Sequence, residues 1–380
     1  MTLGIFSTQT GMPWGGSEQL WSRAAMRLLE RGHEIAVNYK KWPTTADPLE
    51  KIRRHGGALT LRSEDTAWAR LQSLVHSALR RRGIPTHRHR LWLESTRPDV
   101  VLVSSGWHED DLSITRTCRQ LGIPYAILLH CTSYHDWIGN EKAERIRTAY
   151  QEAQKCFFVS DENRDIIETL TAASLGHPEI VDNPINVDPG AAPPWPAVND
   201  VWHLACVGRL HCRSKGQDLI VKVLRRSRWR DRPLHVTLYG QNQDSKERLH
   251  RLIDKHDVQD QMTIAGYTSL NTIWRENHAL LLPSRFEGMP MVTLEAMLWE
   301  RPAIVTNCGR NGEFVDDGET GFLVPAATTE LLDQAMERAW RHRHEWQTMG
   351  TEAARRIRSR YSDHPVEDFA DRLESLAAAS

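Results

Sequence analysis

Arg209, Lys215, Glu287 and Glu295 are the residues of this 380-residue chain whose types and spacing suit a group-transfer site. Arg209 and Lys215 are cations in a polar loop after an apolar run, and they match the charge that builds on a departing pyrophosphate. Two carboxylates beside such a group would repel it unless they face something else. The hydroxyls of a sugar and of a ribose are the natural partners. Gly288 lets backbone approach a ligand closely. Met289, Pro290 and Met291 then lead into a helix, with Pro290 suited to its first position. The first turn of that helix offers N–H groups without intrahelical partners and a positive dipole end, which suit a phosphate. A bare pair of glutamates with seven residues between them says little. The strand, glycine loop and helix around this pair give it meaning.

These residues need elements to hold them. Residues 279–282 read as a short buried strand closed by Pro283, and 303–305 begin the next strand. Residues 202–209 read as a strand ending in Gly208-Arg209, with Lys215-Gly216 opening an amphipathic helix. Residues 236–240 and 262–267 are further strands ending in glycine, placed to line a nucleotide pocket. The terminal helices are expected at 329–358 and 362–379.

The first half has the same grammar. Strand 3–7, a loop carrying Gly15-Gly16, a helix to about Gly32 and strand 33–37 form a β-loop-α-β unit. The glycines do not spell Gly-x-Gly-x-x-Gly, so a dinucleotide oxidoreductase is disfavoured. Gly15 and Gly16 can still bring backbone N–H groups near a phosphate or sugar. Residues 98–104 and 122–130 are buried parallel-type strands. His130 ends the second of these, which is the ligand end in open α/β sheets. A lone histidine there is either structural or a ligand contact. His135 and Asp136 follow as weaker candidates. Ser160 is placed to cap a helix beginning at Asp161. Residues 189–196, rich in proline and alanine, mark the domain boundary.

Composition bounds the rest. The length suits two domains, and 40% hydrophobic residues with mixed charge indicate a globular chain. No apolar run approaches the ~20 residues that span a bilayer, and the start lacks the features of a signal peptide. The six cysteines are scattered without a Cys-x-x-Cys pair, which argues against zinc and suits a reducing, cytoplasmic setting. A net charge of −1 gives no reason to expect nucleic acid. Charge is uneven, though: between Lys40 and Arg97 there are thirteen basic residues against five acidic ones. Within that stretch Trp68, Leu71, Leu74, Val75, Ala78 and Leu79 fall at helical spacing. This is either a helix packed on its domain or a basic surface for an anionic membrane or acidic acceptor.

The glutamate stretch, Pro-Ser-Arg-Phe-Glu-Gly-Met-Pro from Pro283 to Pro290 and on to Glu295, resembles the paired-glutamate motif of retaining family 4 glycosyltransferases. Gly208-Arg209-Leu210 with Lys215-Gly216 resembles that family's basic pair, and Gly15-Gly16-Ser17-Glu18 its first glycine loop. The likeness runs from residue 3 to about 365 and is densest from 203 to 325. Two departures stand out. Asn186 replaces the acidic residue usual after Asn-Pro-x, and residues 307–313 replace a Gly-Gly-x-Pro-Glu loop while keeping an acid, Glu313.

The resemblance implies the GT-B architecture: α/β, with two Rossmann-like domains facing across a cleft. It places an acceptor-binding domain at 1–187, a linker at 188–200, a nucleotide-sugar-binding domain at 201–362 and a helix at 363–380 crossing back. The implied reaction moves a sugar from a nucleoside diphosphate sugar, UDP-sugar first and GDP-mannose next, to an acceptor hydroxyl with retention. Glycan, polysaccharide or glycolipid synthesis is the implied setting, with a carbohydrate or lipid-linked acceptor. Catalysis falls to His130, Arg209, Lys215 and Glu287. Donor binding adds Gly15, Gly16, Tyr267, Gly288, Met289, Pro290, Met291 and Glu295. No Asp-x-Asp occurs, so no metal is called for, and no cofactor beyond the donor is implied. A nucleotide-sugar epimerase of the same architecture and a catalytically silent binding protein remain alternatives. The expected location is cytoplasmic, with a peripheral contact to anionic membrane through residues 40–97.

Overall fold

Residues of 100–105 and 125–129 are buried along their whole length, as strands covered on both faces must be. They lie in the middle of a seven-stranded parallel sheet: β1 (Thr2–Ser7), β2 (Glu34–Lys40), β3 (Ala58–Arg62), β4 (Val100–Ser105), β5 (Tyr125–Leu129), β6 (Lys155–Phe158) and β7 (Pro178–Ile180). The order is β3-β2-β1-β4-β5-β6-β7. A second parallel sheet holds β8 (Trp202–Val207), β9 (Leu234–Tyr239), β10 (Met262–Gly266), β11 (Ala279–Leu282), β12 (Ala303–Thr306) and β13 (Gly321–Val324), ordered β10-β9-β8-β11-β12-β13. This computed structural model describes all residues except 64–86, 109, 111, 198–199, 363 and 379–380. The apolar helical pattern from Trp68 to Leu79 lies outside the described residues.

The chain divides into two compact units, residues 1–184 with 362–380, and residues 185–361. Each is a Rossmann-like α/β body. The terminal helix Pro365–Ala378 packs on helix Gln19–Glu30 of the first unit. Phe369 sets its ring edge against Phe157 at 5.1 Å, and Arg27–Glu367 (2.8 Å) and Arg31–Asp371 (2.6 Å) line the seam. The burial of Phe369 and Leu373 carries this contact, since exposed ion pairs contribute little.

One sequence expectation needs correction. The helix expected over 329–358 is two helices, Thr329–Arg341 and Trp346–Arg360, joined through a short 3-10 turn. The break lets Trp346 turn inward, where its Nε1 donates to the Ala339 carbonyl (3.0 Å) and its ring meets Trp202 at 5.2 Å. Residues 188–197 are also tied to the second unit. Trp299 Nε1 donates to the Asp188 carbonyl at 2.8 Å, and the buried Arg301 reaches the carbonyls of Pro193 and Pro194 at 3.3 and 2.8 Å.

Candidate functional site

Two loops of the second unit carry most of the expected site. One follows β8 and holds Arg209 and Lys215; the other follows β11 and holds Glu287. They touch at Gly216, whose φ of +65° and lack of a Cβ are both required. A Cβ there would lie 2.0 Å from the Pro283 carbonyl oxygen. Arg285 fastens the loops from the other side. Its N–H donates to the Ser214 carbonyl (2.7 Å) and its guanidinium makes a forked pair with Asp218 at 2.8 and 2.9 Å. Burial alone would raise the Asp218 carboxyl, but the Arg285 guanidinium holds it below the usual carboxylate range.

This closure joins Lys215 to Glu287. The ammonium donates to Glu287 Oε1 at 2.5 Å, and Ser284 Oγ donates to the same oxygen at 2.7 Å. The two side chains are only 15% and 11% exposed, so the pair is poorly screened and fixed in place. Sequence reasoning set Glu287 toward hydroxyls and Lys215 toward phosphate without seeing that they meet. Arg209 is exposed, and its Nη1 donates to Gln243 Oε1 at 3.0 Å.

Helix Met291–Leu298 follows, with Pro290 as its cap rather than its first residue, one position from expectation. Met291 and Val292 stand in its first turn, where N–H groups have no intrahelical acceptor. Gly288 and Met289 are buried beneath the loop after β12, because Gly309 (φ +58°) presses on the Gly288 carbonyl. A Cβ on Gly309 would lie 2.3 Å from that oxygen. Glu313, the acid of the altered loop, pairs with Arg310 at 2.8 Å.

Glu295 is 6% exposed, and its Oε1 accepts from Asn186 Nδ2 at 3.1 Å. Asn186, the residue that departs from the family pattern, is thus its partner. Burial pushes the Glu295 carboxyl above its ordinary value, and the Asn186 bond offsets this in part. A raised acid favours the folded state below its unfolded pKa and loses that contribution as pH rises through the folded one. At neutral pH the ionised Glu295 therefore costs stability until hydroxyl donors reach it. Glu295→Gln is expected to melt about 2–4 °C higher than wild type without ligand at neutral pH. The margin should shrink at acid pH. The same variant should bind uridine diphosphate about tenfold more weakly. A variant that melts lower at neutral pH would count against this reading.

Tyr267 is 78% exposed, just past β10. Gly15, Gly16 and His130 belong to the first unit. Gly16 meets nothing within 4 Å of where a Cβ would sit, and neither glycine has a positive φ, so the fold itself does not demand glycine at 16. Glu18, just beyond, is buried, with bonds from Trp21 Nε1 (2.9 Å) and Ser17 Oγ (3.1 Å). Burial pushes its carboxyl up to about 7. Sequence reasoning named Glu18 within the first glycine loop but gave it no role of its own. His130 is buried, with Nε2 3.2 Å from Ser104 Oγ and Nδ1 without a hydrogen-bond partner among the described residues. Burial pulls its imidazole down to about 3, so it is neutral at physiological pH. Tyr134 and Trp137, in the loop after His130, are 50% and 71% exposed and were also missed. Two aromatics in a polar loop at a strand's ligand end were the available signal. His135 and Asp136 lie between them. Among the described residues, no cluster of three or more His, Cys, Asp or Glu could hold a metal ion, and no helix is long and apolar enough to cross a membrane.

Two parallel-sheet Rossmann-like units fit the GT-B architecture, and the family matches and relatives support a glycosyltransferase that uses nucleotide-sugar donors. The chain belongs to the group 1/family 4 glycosyltransferases: residues 14–189 match the model described as Glycosyltransferase Family 4, and residues 202–342 that described as Glycosyl transferases group 1. It is 25% identical to a glycogen synthase of Mycobacterium tuberculosis over 86% of this chain and 87% of that one. It is 27% identical to alpha-D-kanosaminyltransferase of Streptomyces kanamyceticus over 35% of this chain, spanning about a third (34%) of that relative. Anabaena HepE in complex with UDP shares the fold, with a TM-score of 0.71 at 14% identity over 99% of this chain and 100% of that one.

Proposed function

We propose that the protein transfers a sugar from a UDP-sugar to a hydroxyl of a carbohydrate or lipid-linked acceptor, retaining the anomeric configuration, in glycan, polysaccharide or glycolipid synthesis. The observation that carries this reading is the Lys215–Glu287–Ser284 contact, with the buried Glu295 in the helix that follows the same loop. A glycogen synthase relative and a UDP-bound neighbour of the same fold support the donor class. The anomeric carbon loses its bond to the diphosphate oxygen as the acceptor oxygen attacks the same face. The acceptor proton passes to the departing diphosphate. Lys215 and Arg209 stabilise the charge left there, with the first-turn amides of Met291 and Val292. Glu287 orients Lys215 and accepts from a sugar hydroxyl, Glu295 accepts from the ribose, and Tyr267 borders the base. Gly15 and Gly16 admit the donor's approach in the first unit. Tyr134 and Trp137 offer apolar faces on which an acceptor sugar ring can rest.

Incubation with UDP-glucose and GDP-mannose, without acceptor, tests the reading. Slow diphosphate release with an α-configured sugar is expected, faster from the uridine donor. An isomerised sugar, an inverted anomer or binding without release would overturn it.

His130 acts here as a neutral hydrogen-bonding group. His130→Gln should lower turnover at saturating donor about tenfold or more while leaving nucleotide affinity nearly unchanged. Its depressed pKa makes wild-type stability full above the unfolded value near 6.5 and lost as pH falls toward 3. Wild type should therefore lose on the order of 4 kcal/mol more than His130→Gln between those pH values. Matching acid denaturation curves would show the burial argument to be wrong.

A further inference from the structure

A pocket of about 410 Å³ in the second unit is lined by Arg225, Arg226, Arg230, Lys255, His256 and Asp257. It lies where helices Gln217–Leu224 and Lys246–His256 end. The first of these helices begins beside Lys215, so the pocket is about 12 Å away, at its far end. Cations at helix C-termini have an ordinary use: they offset the negative dipole end. That use accounts for some of these. Arg226 is engaged by Asp333 and by Glu330 (3.1 Å), and Arg230 by Asp257 and the His256 carbonyl, at 3.4 and 3.5 Å. Arg225 and Lys255 have no ion-pair partner among the described residues. Two helix ends supply about half a negative charge each, roughly one in total against these two full positive charges. The balance stays positive. His256 registers it: partial burial and the facing charges of Arg225, Lys255 and Lys222 all hold its imidazole below its ordinary value.

We infer that this pocket is a second anion site, separate from the donor site, which binds a phosphate group between Arg225 and Lys255. The arginine plane matches phosphate oxygens in a fork and the ammonium adds a point charge. The phosphate can belong to a soluble phosphorylated molecule or to a lipid headgroup, and both present the same oxygens.

Calorimetric titration of the full chain with inorganic pyrophosphate tests this. Because the donor site also takes diphosphate, titrations are run with and without saturating uridine diphosphate, in wild type, Arg225→Ser/Lys255→Ser and Arg209→Ala/Lys215→Ala. The expected result is a binding event that persists under uridine diphosphate and in the Arg209/Lys215 variant. It should be about a hundredfold weaker, about tenfold for each cation, in the Arg225/Lys255 variant. Sedimentation with phosphatidylcholine vesicles, with and without phosphatidylglycerol, distinguishes the sources. Binding of free pyrophosphate assigns the site to soluble phosphates. Binding of anionic vesicles alone, lost in Arg225→Ser/Lys255→Ser, assigns it to headgroups. If Arg225→Ser/Lys255→Ser folds with a wild-type melt and changes neither, the inference is wrong. Loss of donor-site binding in Arg209→Ala/Lys215→Ala bears only on the proposed function, so the two can fail separately.

Discussion

Lys215→Ala is expected to lower turnover with a UDP-sugar donor by about 100- to 1,000-fold, the scale seen when one stabiliser of developing negative charge is removed. The ammonium is held at 2.5 Å by Glu287 in a largely buried pair, so it is already oriented before the donor arrives. Glu287→Ala should behave differently. It removes an anion from beside the diphosphate site and leaves Lys215 with its full charge. Free uridine diphosphate should then bind as well as to wild type or better, while turnover falls about a hundredfold because Lys215 loses its anchor and the sugar a hydroxyl acceptor. Calorimetry with the diphosphate and steady-state kinetics with the donor read the two quantities separately. If Glu287→Ala loses diphosphate affinity as severely as Lys215→Ala, the glutamate belongs to the diphosphate site and the roles must be redrawn.

Arg301→Ala should cost about 3–5 kcal/mol of stability, the range for breaking a buried charged network. Arg301 is 1% exposed and, among the described residues, has no carboxylate bonded to it. Its guanidinium instead donates to carbonyls of Asn277 (3.1 Å), Trp299 (2.7 Å), Pro194 (2.8 Å) and Trp274 (2.5 Å), and it faces the Trp195 ring at 5.1 Å. Burial pulls it down to about 10, which leaves it charged at neutral pH. Removing it leaves several buried carbonyls without donors and detaches residues 193–195. Arg301→Lys should recover less than half of the loss, because an ammonium cannot span that ring of acceptors. Thermal melts and proteolysis within 188–200 measure the effect. A variant within ~1 kcal/mol of wild type would show that the segment is held by other contacts.

Much of the architecture was legible because its signals are local. Apolar runs such as Ala279–Leu282 and Val100–Ser105 declare buried parallel strands, and glycines at their ends declare tight loops. Ser160 was expected to cap its helix, and its Oγ accepts from Asn163 N at 3.1 Å. The helix across 329–358 was misjudged because its pattern continues through 342–345, where burial of Trp346 overrides propensity.

The sequence by itself determined most of the strands, though not β3, together with the glycine loops and the family, and it singled out two cations and two glutamates. Which of these meet was decided by tertiary structure. Lys215 and Glu287 are 72 residues apart, and Asn186 and Glu295 are 109 apart. The first pair meets because the sheet order places β8 directly beside β11, although β9 and β10 intervene in the chain. Neighbouring parallel strands end on the same side, so their loops share one edge, and Gly216 lets those loops touch. The neutrality of His130 and the carbonyl ring around Arg301 arise in the same way, from burial by segments remote in sequence, which no local pattern encodes.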